Sequence, residues 1–156
     1  MFTISIPGRE KVSIEHIILD YNGTLAIDGK MIDGVKEKLV QLSQSFHIHV
    51  ITADTFGACG EQLQGLNCSI QILEADNQSK QKESYLKEVC KKNIIAIGNG
   101  ANDSLMLKCA DIGIALIQQE GVAIETLLSS DIVCNHIHDA LDLMTNPKRL
   151  IATMRV

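Results

Sequence analysis

Short apolar runs alternate with amphipathic segments along most of this chain. The apolar runs have the length of strands, and most are unbroken, as expected for strands that are covered on both faces. Between them, apolar residues recur at helical spacing. The pattern predicts strands at 16–20, 48–52, 69–73, 93–98, 112–116 and 132–134, and helices at 35–42, 59–66, 78–91, 103–109, 122–128, 140–144 and 147–154.

This alternation predicts an α/β protein with a three-layer α/β/α, Rossmann-like fold, in which right-handed crossovers join the strands of a central parallel sheet. Residues 2–15, around a Pro-Gly turn, predict a hairpin before the first main strand. Segment 23–33 has room only for a small flap, and nothing in 70–95 is long enough for a cap domain. We therefore expect one capless domain over 1–156, with ligands beyond the carboxyl ends of the strands.

Composition and charge argue against several classes of function. The chain has 156 residues, of which 46% are hydrophobic and 21% charged, as in a globular domain with one core. A formal net charge of −5 provides no basic surface for nucleic acid. No apolar run approaches the ~20 residues that span a bilayer, so no membrane partner is expected. The five cysteines show no Cys-x-x-Cys spacing and no secretory signal precedes them, which predicts a cytoplasmic protein with reduced thiols.

Polar residues fall where predicted strands end. Asp20 ends the first main strand and Thr52 the second, the segment 97–104 (IGNGANDS) ends the fourth, and Lys82 lies in the helical segment before it. Each has an ordinary explanation as a cap, a turn former or a solvated side chain. Their order on successive strands instead favours phosphoryl transfer, in which Asp20 attacks phosphorus, Thr52 and Lys82 hold the phosphoryl oxygens, and Asp103 serves a metal.

Four motifs in this order resemble those of the haloacid dehalogenase superfamily, and in particular small soluble proteins similar to the phosphorylation domain of P-type ATPases. DYNGTLA (20–26) is similar to the superfamily's Asp-x-Asp-Gly-Thr and to the ATPases' Asp-Lys-Thr-Gly-Thr. TAD (52–54) is similar to Thr-Gly-Asp, and GNGANDSLML (98–107) to Gly-Asp-Gly-x-Asn-Asp-x-x-x-Leu. With the lysine between the last two motifs, the resemblance covers about 16–135.

The resemblance implies a hydrolase with a Mg²⁺ cofactor and a small phosphorylated substrate. Lys80 competes with Lys82 for the role of the motif lysine, but only Lys82 is followed at +3 and +4 by Tyr85 and Leu86, similar to two apolar residues in the ATPases. The roles carried over are catalytic for Asp20, Asn22, Thr52 and Lys82, and substrate-binding for Gly23, Thr52, Ala53, Lys82 and Asn102. The metal-binding residues carried over are Asp20, Asn22 through its main-chain carbonyl, Asn99 and Asp103.

Two amides depart from the superfamily pattern. Asn22 stands where phosphatases carry an aspartate that protonates the leaving group and then activates water, and an amide does neither. Asn99 stands where the family has a metal-binding aspartate, so one negative charge is lost. We expect a magnesium-dependent phosphohydrolase that forms an aspartyl-phosphate and is slowed by Asn22. The alternative is a catalytically weak or inactive domain that binds phosphate or a protein partner.

Two further expectations follow from what the chain lacks. The short separation of Asp20 and Thr52 leaves no room for the ATPases' nucleotide-binding domain, and without a cap the site is open unless another subunit covers it. We therefore expect a homodimer or tetramer. The pairs His47-x-His49 and His136-x-His138 each supply too few ligands for a closed tetrahedral zinc site, so zinc is not expected from the sequence.

Overall fold

The computed structural model describes residues 2–54 and 57–156. Its strands are β1 Phe2–Ile4, β2 Val12–Ile14, β3 His16–Leu19, β4 Ala26–Ile27, β5 Lys30–Met31, β6 His47–Thr52, β7 Cys68–Ile72, β8 Ile94–Gly98, β9 Ile112–Leu116 and β10 Ile132–Cys134. Its α-helices are α1 Val35–Leu42, α2 Cys59–Gln62, α3 Gln78–Tyr85, α4 Ser104–Cys109, α5 Ile124–Leu128, α6 Ile137–Thr145 and α7 Pro147–Met154. A π-helical turn spans Leu86–Cys90 and a 3₁₀ turn spans Ala101–Asp103.

The central sheet has six strands in the order β10-β9-β8-β3-β6-β7, and every neighbouring pair is parallel. This confirms the predicted α/β fold. After β3 the chain builds β6 and β7 on one side and then returns to build β8, β9 and β10 on the other. In such sheets ligands bind where the strand order reverses, at the carboxyl ends. Leu19 of β3 pairs with Val50 on one side and with Ile97 on the other, so the residues that follow these strands meet at that edge.

Two apolar clusters fill the space on either side of the sheet. Ile17 and Leu19 belong to one cluster with Leu39 of α1, whereas Ile18, between them, belongs to the other with Met106 of α4. This division follows from the strand period, because successive side chains point to opposite faces. Both faces of β3 are therefore buried, which explains the unbroken apolar sequence of the run and the three layers.

The three helix boundaries that differ most from the sequence prediction do so for local reasons. α2 stops at Gln62 and not at residue 66, because Gly65 adopts a φ of +82°. The long helix predicted over 78–91 is α-helical only to Tyr85 and continues as the π-helical turn. α6 begins at Ile137, earlier than predicted, because the side chain of His136 accepts a hydrogen bond from the amide of His138 and caps the helix.

Two antiparallel pairs lie outside the main sheet. β1 pairs with β2 in the range of the predicted hairpin, and β4 pairs with β5 in the range of the predicted flap. The flap strands have two residues each, so nothing in 23–33 has the size of a cap domain. No helix within 2–54 or 57–156 combines the length and apolarity needed to cross a bilayer.

Candidate active site

Asp20 lies immediately beyond β3, at the carboxyl edge of the sheet. Its amide donates to the carbonyl oxygen of Ile97 at 3.0 Å, so the β3–β8 ladder extends to this residue. The chain then turns tightly, because the amides of Leu25 and Ala26 both donate to the carbonyl oxygen of Tyr21, at 2.8 and 2.9 Å. The hydrogen bonds on either side fix the position of the Asp20 carboxylate.

Gly23 is required within this turn. Its φ is +81°, and a Cβ at this position would lie 2.3 Å from Nδ2 of Asn99. Asn99 itself is 6% exposed, donates from Nδ2 to the carbonyl oxygen of Gly121 at 2.9 Å, and accepts from the Thr24 hydroxyl at 3.4 Å. The side chain of Asn99 therefore connects the turn after Asp20 to the loop after β9.

Lys82 holds the two acidic side chains of the site together. Its Nζ lies 2.6 Å from Oδ1 of Asp20 and 2.5 Å from Oδ1 of Asp103. Its side chain is fully buried, as is that of Asp103, and the side chain of Asp20 is 9% exposed. Lys80, the competing lysine, is exposed on the same helix. The structure therefore brings Asp20, Lys82 and Asp103 together and leaves Lys80 outside.

The second oxygen of Asp103 is held by the backbone. Its Oδ2 accepts from the amides of Asn99 and Gly100, at 3.0 and 2.9 Å. Gly98 makes room for this carboxylate, because a Cβ there would lie 2.5 Å from Cγ of Asp103. Gly98 and Asp103 of the motif GNGAND are thus explained by one buried carboxylate that folds back onto the end of its own strand.

Burial and like charge set the protonation of this group. Burial, followed by the charge of Asp103, raises the pKa of Asp20 to about 7, although Lys82 opposes both effects. Burial alone would lower the pKa of Lys82, but the charges and hydrogen bonds of Asp103 and Asp20 outweigh it and raise that pKa above its ordinary value. Lys82 therefore remains protonated, and the carboxylates of Asp20 and Asp103 share its single positive charge.

This charge imbalance suits a divalent cation. Fully ionised, the cluster carries one more negative than positive charge in a buried position, which is costly without a further cation. Among the described residues, Oδ1 of Asn22, two positions after Asp20, is buried without a hydrogen-bond partner. This oxygen is therefore available as a further ligand. Carboxylate and amide oxygens are ligands that Mg²⁺ accepts. The residues present therefore fit such an ion.

Thr52 ends β6 beside the strand that carries Asp20. It is buried, and its hydroxyl oxygen accepts from the amide of Asp54 at 2.9 Å, which leaves the hydroxyl proton to donate elsewhere. Asp54 has a φ of +48°, and its Oδ1 accepts at 3.1 Å from the amide of Cys59, the first residue of α2. Ala53, between Thr52 and Asp54, is half-buried.

Asn102, which the resemblance assigns to substrate binding, makes its side-chain hydrogen bond to α3. Its Nδ2 donates to Oε1 of Gln78 at 2.8 Å, the first residue of α3. Since α3 also carries Lys82, this contact joins the GNGAND segment to the helix that supplies the ammonium. In this structure Asn102 positions an element of the site.

Gln118 is a residue that the sequence analysis missed. Its Nε2 donates to the carbonyl oxygens of Gly23 and Thr24, both at 3.0 Å, and its Oε1 accepts from the amide of Ile137 at 2.7 Å. One side chain thus ties the turn after Asp20 to the start of α6. Its position in the sequence could have indicated this role, because Gln118 follows β9 at the same edge of the sheet as the other strand-end residues.

The flap formed by β4 and β5 is held from both sides. Gln62 accepts from the amide of Met31 at 2.6 Å and donates to the carbonyl oxygen of Gly29 at 2.7 Å. On the other side, the amide of Asp28 donates to Glu120 at 2.8 Å. The flap is therefore fixed against α2 and against the loop that follows β9.

Comparison of the sequence with known protein families identifies the family of this chain. The profile of a family described as haloacid dehalogenase-like hydrolase matches residues 33–125, more than half of the chain. This chain belongs to the haloacid dehalogenase-like hydrolases. The match confirms the resemblance inferred from the motifs, and it includes Thr52, Lys82, Asn99 and Asp103.

Two curated proteins are similar in sequence to this haloacid dehalogenase-like hydrolase. An uncharacterised protein of Methanocaldococcus jannaschii is 58% identical over 73 residues, which cover 47% of this chain and 78% of the relative. A phospholipid-transporting ATPase of Saccharomyces cerevisiae is 27% identical over 108 residues, or 69% of this chain but 8% of the ATPase. The second match agrees with the similarity to P-type ATPases.

Solved structures of other proteins share the fold. The 3-deoxy-D-manno-octulosonate 8-phosphate phosphatase from Moraxella catarrhalis, solved with magnesium and phosphate ions, superimposes with a TM-score of 0.64 at 18% identity, covering 91% of this chain and 94% of that one. The cobalt-bound deoxy-D-mannose-octulosonate 8-phosphate phosphatase of Haemophilus influenzae gives 0.65 at 12% identity, covering 86% and 88%. At this identity the likeness concerns the fold alone.

Proposed function

We propose that this chain is a magnesium-dependent phosphohydrolase that acts on a small phosphorylated substrate through an aspartyl-phosphate at Asp20. One observation carries the proposal: the buried Lys82 ammonium lies between the carboxylates of Asp20 and Asp103, beyond the central strand of a parallel sheet. An ammonium in this position orients Asp20 and can hold phosphoryl oxygens as they gain charge. The two fold neighbours are themselves phosphatases, which agrees with the proposal.

In the first step the carboxylate of Asp20 attacks phosphorus. A new bond forms between the Asp20 oxygen and phosphorus, the bond to the ester oxygen breaks, and that oxygen leaves with the electron pair and takes a proton from solvent. The hydroxyl of Thr52 and the ammonium of Lys82 hold the phosphoryl oxygens. In the second step water attacks the same phosphorus, the bond to Asp20 breaks, inorganic phosphate leaves, and the water proton passes to solvent.

Asn22 makes both proton transfers slow. An amide neither protonates a leaving group nor accepts a proton from water, and general acid–base catalysis typically contributes about 10²–10⁴-fold. Substrates whose leaving group needs no proton should react well in the first step. The aspartyl-phosphate should then accumulate, because the second step still needs a base.

Mg²⁺ would be held by Asp20, Asp103 and an oxygen of Asn22, and when bound it would neutralise charge on the phosphoryl group. Asn99 is a weaker candidate ligand, because its side chain already bonds to Gly121 and Thr24. Replacing Asn99 by Asp adds a charge for the metal but removes the donor to the Gly121 carbonyl. Any gain in metal affinity from Asn99→Asp is therefore accompanied by a loss of protein stability.

Single-turnover kinetics with one aryl and one alkyl phosphate, on the natural protein and on Asn22→Asp, test the proposal. We expect Asn22→Asp to speed breakdown of the phosphoenzyme and to help the alkyl phosphate more than the aryl phosphate. Asp20→Asn should abolish turnover of both. Rates that do not change on Asn22→Asp, together with activity that survives Asp20→Asn, would contradict the mechanism.

The observations that favour the alternative are the amide at position 22 and the low exposure of the Asp20 side chain. On that hypothesis the chain binds phosphate or a protein partner without turning over. Isothermal titration with phosphate and Mg²⁺, beside the aryl phosphate assay, distinguishes the two functions. Binding without any phosphoenzyme would favour the alternative.

Because residues 2–54 and 57–156 contain no cap domain, we propose a homodimer or tetramer in which a neighbouring subunit covers the site. A cover of this kind would keep bulk water from the phosphoenzyme. Light scattering at high protein concentration tests the assembly, and a monomer would rule it out.

A further inference from the structure

A second cluster of chemically reactive side chains lies far from Asp20 along the same strand. His16 is the first residue of β3, whereas Asp20 follows its last, and His49 comes from the neighbouring β6. Cys90 is the last residue of the π-helical turn. Nδ1 of His16 lies 3.0 Å from Nε2 of His49, and Sγ of Cys90 lies 3.9 Å from that same nitrogen. One ligand atom from each of the three residues lies within 4.8 Å of the other two.

The orientation of His49 is fixed by a neighbour outside the cluster. Its other ring nitrogen, Nδ1, lies 3.0 Å from the hydroxyl oxygen of Tyr85. Metal-binding histidines are commonly held in this way, because a partner for one nitrogen directs the lone pair of the other at the metal. With Nδ1–H donating to Tyr85, Nε2 of His49 has its lone pair free to face His16 and Cys90.

Burial, with the nearby His16 and His47, lowers the pKa of His49 to about 4, and burial also lowers the pKa of His16. Both shifts favour the neutral imidazole at pH 7, which is the form that ligates metals. Burial raises the pKa of Cys90 to about 11, so a cation must displace the thiol proton.

We propose that His16, His49 and Cys90 form a site for Zn²⁺ or a cation of similar softness. Two imidazoles and a thiolate are ligands of Zn²⁺ and not of Mg²⁺, which prefers oxygen. Three protein ligands leave one tetrahedral position for a water. His16 and His49 also line a cavity of about 440 Å³, which gives solvent access to these two ligands. The ion would join β3, β6 and the π-helical turn, at a distance from the phosphoryl chemistry.

The sequence pair His47-x-His49 suggests a zinc site but supplies too few ligands for one by itself. The structure replaces His47 with His16 from the adjacent strand and adds Cys90 from a turn about forty residues away. Without a metal, the same contacts form a hydrogen-bond network that runs from His16 through His49 to Tyr85. The experiment must therefore distinguish an ion site from that network.

Cobalt titration of the full chain, stripped with a chelator and kept reduced, makes this distinction. A thiolate ligand gives Co²⁺ a charge-transfer absorption that the oxygen ligands of the Asp20 site cannot produce. We expect one equivalent of this absorption, which added Zn²⁺ removes and excess Mg²⁺ does not. It should persist in Asp20→Asn and disappear in Cys90→Ser. Cys134→Ser, the matched control at a half-buried cysteine elsewhere, should retain it.

A milder variant guards against loss of folding. Tyr85→Phe keeps the ring and removes only the hydroxyl that orients His49, and changes of this kind typically weaken metal binding about 10–100-fold. His16→Asn should weaken it as well. No charge-transfer absorption in the natural protein, or absorption that survives Cys90→Ser, would overturn the proposal and leave the hydrogen-bond network as the explanation of the cluster.

Discussion

Replacing Lys82 with Met should destabilise the protein, because it leaves two buried carboxylates without their counter-charge. Asp20 and Asp103 each lose one charge-assisted hydrogen bond, at 2.6 and 2.5 Å. Such bonds contribute about 1.5–3 kcal/mol each, and removing one partner of a buried ion pair typically costs about 3–5 kcal/mol. We therefore expect the free energy of unfolding at pH 7 to fall by about 3–5 kcal/mol.

The loss should depend on pH in a definite direction. In the natural protein the pKa of Asp20 is raised from 3.8 to about 7, so this group lowers stability as pH rises from about 4 to about 7 and has no further effect above. Lys82→Met removes the contributions that lower this pKa, so the folded pKa rises further. Stability of the variant then continues to fall above pH 7, and its gap to the natural protein widens by up to about 1.4 kcal/mol per pH unit.

Urea denaturation with a chelator present, at pH 7 and at about pH 8.5, measures both effects. Lys80→Met is the matched control, since Lys80 is an exposed lysine on the same helix. Its cost should stay within about 0.5 kcal/mol. A loss below about 1 kcal/mol for Lys82→Met, or a gap that does not widen with pH, would refute this account of the buried charges.

Three further predictions test other parts of the structure. Gly23→Ala should lower thermal stability and activity more than Gly65→Ala, because both glycines have positive φ but only a Cβ at 23 meets Asn99; equal losses would contradict the contact. Gln118→Glu should reduce kcat by displacing the turn after Asp20, because the two carbonyl oxygens that accept from Nε2 would then face a carboxylate; unchanged steady-state kinetics would argue against this role. His49 should stay neutral on acidification from pH 7 to about 5, because burial, with His16 and His47, lowers its pKa to about 4, and an NMR titration near 6.5 would contradict that environment.

The fold, and the meeting of Asp20, Lys82 and Asp103 at one edge of the sheet, could be predicted from strand ends and motifs, whereas the ion pairs of Lys82 were not predicted. An apolar run that stops at a carboxylate marks the end of a buried strand, so Asp20 and Thr52 were found by position. Parallel pairing then brings such ends together, as it does for the strands of Asp20 and Asp103. Lys82 was distinguished from Lys80 by the residues that follow it, and the structure places it between the two carboxylates.

The remaining parts of the site depend on side-chain directions that no local pattern encodes. The bonds of Asn99 to Gly121 and of Gln118 to Gly23 each join segments far apart in sequence. The contact of Cys90 with His49 depends on the π-helical turn, which has the same apolar spacing as a continued α-helix. Sequence analysis therefore found the strand ends but not the loops that orient them.

Acid-quench mass spectrometry of the protein reacting with an aryl phosphate and Mg²⁺ tests the central claim most directly. The account predicts one phosphoryl group on the peptide that contains Asp20, dependent on Mg²⁺, longer-lived than in Asn22→Asp and absent from Asp20→Asn. Turnover of the aryl phosphate with no phosphoryl group on that peptide in either protein, and with Asp20→Asn still active, would contradict it.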